Sequence, residues 1–177
     1  RLFTSILLHA DLKHLLSNLP FFLFFSYLLF GYFGFWVFPV LTLVLGGAGN
    51  YLALLTYPAG VSLIGASGVV YQMAGFWLTC YILIERSRSV NRRILHVVGI
   101  SLILLIPTAA SPEVSYRSHL IGFLLGAAAG LAYFFMKRDW LRSREERIPL
   151  DEEEPFRAGP EPGAETGPEE DGNRWIM

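Results

Sequence analysis

The chain has 177 residues, 53% of them hydrophobic, with a mean hydropathy of +0.45 and a formal net charge of −1. That is too apolar for an ordinary soluble domain. The near-neutral total conceals two unlike parts: residues 1–150 carry twelve Lys/Arg against six Asp/Glu, and residues 151–177 carry two against nine.

Charge-free apolar runs of about 17–25 residues read as membrane helices. Five such spans are predicted, at about 12–30, 36–56, 66–84, 94–110 and 118–136, giving an all-α polytopic membrane bundle. The first opens in "HADLKHLLSN". His14 and Asn18 stand at i and i+4, share a helix face and can both donate hydrogen bonds. Donors so placed can hold a developing oxyanion or simply glue helices together. His9, at the edge of the span, is expected to organise the loop rather than touch substrate. The second span holds "GGAGN", which is read, with Asn50, as packing.

The third span begins in "LIGASGVVYQMAG". Ser67 opens this helix between Gly65 and Gly68. A hydroxyl there feels the positive helix end, which helps an alkoxide form, and the glycines permit unusual backbone angles and close approach. The blander alternative is a packing serine in a small-residue seam. Tyr71 falls one turn later on the same face. The only cysteine, Cys80, lies deep in this run, so no disulfide and no thiolate metal site is available within the chain. The fourth span is short, reaches Pro107, and carries His96 at its charged end, where no chemistry is assigned. The fifth, "SHLIGFLLGAAAG", spaces Gly122, Gly126 and Gly130 by four, a smooth face that lets a partner helix lie close. His119 at its start is the one histidine that could serve Ser67 from a facing helix at equal depth, with Tyr71 packing on its ring.

Orientation follows from Lys/Arg placement. The loop "ERSRSVNRR" at 85–93 and the basic segment after the last span are expected in the cytoplasm, and the loop before span five outside. Ser67, His119, His14 and Asn18 then share one depth near the outer face. Polar groups at one depth of a bilayer face the bundle interior and point to function. No carboxylate reaches that depth, so a Ser-His dyad is available and a triad is not. No metal cluster, phosphate-binding loop, cofactor motif or nucleic-acid signature is read. Domain organisation is expected as a membrane unit at 1–136, a basic cytoplasmic segment at 137–150 and an acidic disordered tail at 151–177.

These residues resemble the rhomboid intramembrane serine proteases. The chain carries the His-x4-His-x3-Asn pattern at His9, His14 and Asn18, and Gly-x-Ser-Gly with a tyrosine four residues on at Gly65–Tyr71. It also carries His-x2-Gly-x3-Gly at His119, Gly122 and Gly126. The resemblance implies Ser67 as nucleophile and His119 as general base and acid. It implies an oxyanion hole of His14, Asn18 and the Ser67 backbone N–H, with Tyr71, His9 and the glycines in support. Transmembrane proteins would be the substrates, cut near the outer face of a plasma membrane, with the C-terminus cytoplasmic. The family core has six helices, so a further helix is expected before Arg1. The rivals are a catalytically silent rhomboid-like protein that binds membrane clients, or a small transporter subunit. The sequence leaves the oligomeric state open.

Overall fold

The computed structural model describes residues 1–109 and 115–143, the side chains of 105–109 excepted; the acidic segment 151–177 lies outside the described residues. A 3₁₀ turn at Thr4–Leu7 precedes α1, Leu12–Phe33. A π-type turn, Trp36–Leu41, leads into α2, Thr42–Leu54. Then come α3, Ser67–Ile84, α4, Val90–Ala109, and α5, Tyr116–Ser143. The protein is an all-helical bundle. Each expected span contains a helix among the described residues, and α5 continues past residue 136 to Ser143.

Local chemistry sets the boundaries. Asp11 caps α1 by accepting the His14 N–H at 2.7 Å. The helix stops at Gly34, whose φ of +76° favours glycine and whose N–H donates to the Phe30 carbonyl. Phe38 breaks the path into α2 with an extended backbone, as a residue before proline prefers. α3 ends where Glu85 turns extended. Ser87 donates to the Glu85 carboxylate from both its N–H and its hydroxyl, which holds that carboxyl below its usual range. Ser115 opens α5 as an N-cap, its hydroxyl accepting from Ser118 N–H at 3.3 Å.

Four helical stretches among the described residues are long and apolar enough to cross a membrane: Leu12–Phe33, Trp36–Leu54, Ser67–Ile84 and Tyr116–Ser143. α4 is not among them; Arg92 and Arg93 occupy its first turn, and its apolar run begins at Ile94. α1 turns Leu15, Leu16, Leu19, Phe24 and Tyr27 outward, as a lipid-facing helix does, and buries Phe25 and Leu29.

α3 is the centre of the bundle. Every residue from Val69 to Phe76 is buried, which is the pattern of a helix surrounded by others. Its closest partner is α5, and the two run parallel with their backbones touching. A Cβ added to Gly122 would stand 2.3 Å from the Gly68 carbonyl oxygen, and one on Gly126 would stand 1.8 Å from that of Gln72. On the α3 side, a Cβ on Gly75 would lie 2.2 Å from the Phe123 oxygen. The four-residue glycine spacing on α5 therefore buys backbone contact with α3, as expected from the sequence. At the far end, Phe33, Phe76 and Tyr133 form an edge-to-face aromatic cluster.

The "GGAGN" stretch does pack. Gly46 and Gly47 leave room for Val69 and the Phe3 ring. Asn50 does more than pack, because its amide donates to the Leu2 carbonyl at 2.9 Å and to the Ser5 hydroxyl at 3.1 Å. It thereby fastens the N-terminal segment to α2. Asn50→Ala leaves those acceptors without their partner and is expected to lower stability by about 1–3 kcal/mol. Limited proteolysis checks this: the variant is cut within residues 1–10 faster than the wild type.

Candidate active site

The site lies where the N-terminal ends of α1, α3 and α5 meet. The segment leading into α3 is held from both sides. Gly65 N–H donates to the Ser5 carbonyl at 3.0 Å, and Ala66 N–H donates to His9 Nε2 at 3.4 Å. His9 is thus tied to this loop through a backbone N–H.

Gly65 adopts φ +109°, a conformation that L side chains rarely take. A Cβ there would meet the His14 ring, 2.7 Å from Cε1 and 3.0 Å from Nε2. The bare glycine therefore lets the His14 imidazole sit directly on the strand that delivers Ser67. His9 and His14 are edge to face, 5.2 Å apart. Asn18 is half-buried, and its amide donates to the His14 carbonyl at 3.0 Å, so that bond is made within α1.

Ser67 is the first residue of α3, and the N-cap before it, Ala66, offers no side-chain hydrogen bond. The first N–H groups of such a helix have no partner inside it, so the Ser67 amide is exposed at a positive helix end. Its hydroxyl makes no hydrogen bond among the described residues. Gly68 meets nothing closer than 3.7 Å at its Cβ position, where Ser118 of α5 lies. Its backbone carbonyl is what Gly122 approaches.

Tyr71 is one turn beyond Ser67. Its ring stacks on His119, centroids 4.2 Å apart and planes 16° apart. His119 is 2% exposed, and both of its ring nitrogens are buried without a hydrogen-bond partner among the described residues. Buried polar atoms of this kind are uncommon and ask for an explanation. No hydrogen bond joins His119 to Ser67 here, and catalytic hydrogen bonds often tighten only when substrate is bound.

A clamp that the sequence reading missed fixes the start of α5. Tyr57 and Ser115 hydroxyls are 2.9 Å apart. Arg117 donates to the Thr56 carbonyl, and its guanidinium lies 5.2 Å from the Tyr57 ring centroid. The end of α2 is so tied to the turn that carries His119. Neither the N-cap at Ser115 nor its tie to Tyr57 was legible in the sequence. His96, at the opposite end, pairs with the Tyr81 hydroxyl at 3.2 Å.

A family model, the Rhomboid domain, matches residues 1–136. The chain belongs to the rhomboid family. It is therefore a multi-pass membrane protein. RHOMBOID-like protein 1 of Arabidopsis thaliana is 31% identical over 137 residues, covering 75% of this chain and 34% of that relative. The chain spans about a third of the length of the curated relative it matches. No solved structure gives a significant match. In this rhomboid, three of the motif histidines meet α3 or the loop before it: His9 at Ala66, His14 at Gly65 and His119 at Tyr71.

Proposed function

We propose that this rhomboid is an intramembrane serine endopeptidase, with Ser67 as nucleophile and His119 as its general base and acid. The observation that carries this reading is the state of His119. Its ring is buried, braced face to face by Tyr71, and finds no partner for either nitrogen among the described residues. Its helix lies in backbone contact with the helix that begins at Ser67. A histidine kept only for packing would satisfy its nitrogens; a base must leave one ready.

In this reading His119 takes the Ser67 proton as the hydroxyl attacks a peptide carbonyl. The charge that develops on that oxygen is held by the unpaired Ser67 N–H, by the His14 ring and by the Asn18 amide, which has a second N–H besides the one given to the His14 carbonyl. His119 then protonates the leaving amine, and water releases the acyl group from Ser67. No metal or cofactor enters the scheme. The substrate is a transmembrane segment of another protein. A groove of about 450 Å³, lined by Pro20, Phe21, Phe24 and Phe25 of α1 and by Ile100, Ile103 and Leu104 of α4, suits an apolar helix lying alongside. The arginines of the α3–α4 loop face the cytoplasm under the positive-inside rule, so the site faces the other side of the membrane.

A helix hides its carbonyls in its own hydrogen bonds. Proline or glycine near the cut should therefore raise the rate for a reconstituted fluorogenic transmembrane substrate by about tenfold over a polyleucine segment. Product masses should place the cut at the end of the segment level with His14. Binding of the segment with no cleavage would favour the client-binding reading instead.

A further inference from the structure

Tyr71 does more than stack on His119, because it reaches a helix outside the site described so far. Its hydroxyl donates to the Leu104 carbonyl of α4 at 2.5 Å, and the bond is buried. Leu104 also lines the groove, with Ile100 and Ile103, opposite Phe21, Phe24 and Phe25. One side chain thus joins three things: the imidazole through its ring face, α4 through its hydroxyl, and the Ser67 helix through its backbone.

α4 is suited to transmit a displacement. It touches α3 and α5 far less than those two touch each other. Pro107 has no N–H to give, so the Ile103 carbonyl lacks its helical partner. That gap in the helical ladder stands one residue from the carbonyl that Tyr71 holds. A phenol anchored at both ends has one tilt, and a stacked imidazole shares it. If α4 shifts, the short bond must lengthen or the ring must follow.

We propose that Tyr71 is a positioning residue through which α4 sets the orientation of the His119 ring, so that an apolar segment in the α1–α4 groove acts on the base. The proposal rests on the Ser67–His119 reading, and its test separates the two. Tyr71→Phe keeps the stacking ring and removes only the tie to Leu104. Leu104→Ala keeps the carbonyl and alters how α4 packs.

The direct readout is the His119 resonance in protein labelled with ¹³C at histidine Cε1, assigned by its loss in His119→Ala. The wild type is expected to give one narrow line. Tyr71→Phe should broaden or split it. Leu104→Ala should shift it in the wild type and leave it unmoved in the Tyr71→Phe background. With a cleavable transmembrane substrate, Tyr71→Phe should lower kcat by about tenfold with KM within about twofold. An unchanged line in Tyr71→Phe, or an equal response to Leu104→Ala in both backgrounds, overturns the linkage whatever the activity. Cleavage surviving in Ser67→Ala refutes the dyad while the line shapes still decide the linkage.

Discussion

Alanine at Ser67 lowers cleavage of a reconstituted transmembrane substrate by about 10³-fold or more, and alanine at His119 does nearly the same. The two losses are not additive, because each residue is useless without the other; the double variant is no worse than either single one. Stability separates the two substitutions. Ser67 is half-buried and its hydroxyl makes no hydrogen bond among the described residues, so its loss leaves unfolding within about 0.5 kcal/mol of the wild type. His119 is buried against Tyr71, and its removal leaves a cavity that costs about 1–3 kcal/mol. Unfolding titrations in mixed micelles, run beside the cleavage assay, give both quantities. A large loss of stability in Ser67→Ala would mean that the serine packs rather than reacts.

Gly126→Val is expected to separate α3 from α5 and with them the two halves of the site. The obstacle is backbone. A Cβ at Gly126 stands 1.8 Å from the Gln72 oxygen and 2.7 Å from its carbonyl carbon, and neither can swing aside. The helices must move apart along a seam that Gly122 and Gly75 hold equally close. Overpacking of this kind sits at or above the upper end of the usual cost, about 3 kcal/mol. Cleavage should fall below detection even where the variant stays folded. Gly49→Ala is the control, since its nearest neighbour is the Leu125 side chain at an ordinary 3.5 Å. It should change stability by less than about 1 kcal/mol. Equal behaviour of the two variants would show that helix contact at Gly126 does not organise the site.

The parts of this arrangement that were legible in the sequence are those written as periodicity. Gly122, Gly126 and Gly130 announce a smooth helix face, and the spans, once drawn, give Ser67, His119, His14 and Asn18 one expected depth, with Tyr71 a turn away from Ser67. The parts that were not legible depend on how loops return. Nothing in the letters shows that Gly65 takes φ +109° to admit the His14 ring. Asn50 stood in a small-residue stretch and read as packing, but its partners are Leu2 and Ser5, far away in the chain. Asn18 shares a face with His14 as the spacing predicts, but its amide bonds to its own helix. The tie from Tyr71 to Leu104 runs to a backbone carbonyl, which every residue has and no motif can mark.

The central claim is that Ser67 is a nucleophile activated by His119. Its most direct measurement is intact-protein and peptide mass spectrometry after reaction with a fluorophosphonate, which bonds to an activated serine oxygen as fluoride leaves. The account predicts one adduct, on Ser67, absent in Ser67→Ala and formed at least about a hundredfold more slowly in His119→Ala. An adduct on another serine, or labelling of Ser67 at an undiminished rate in His119→Ala, would contradict it.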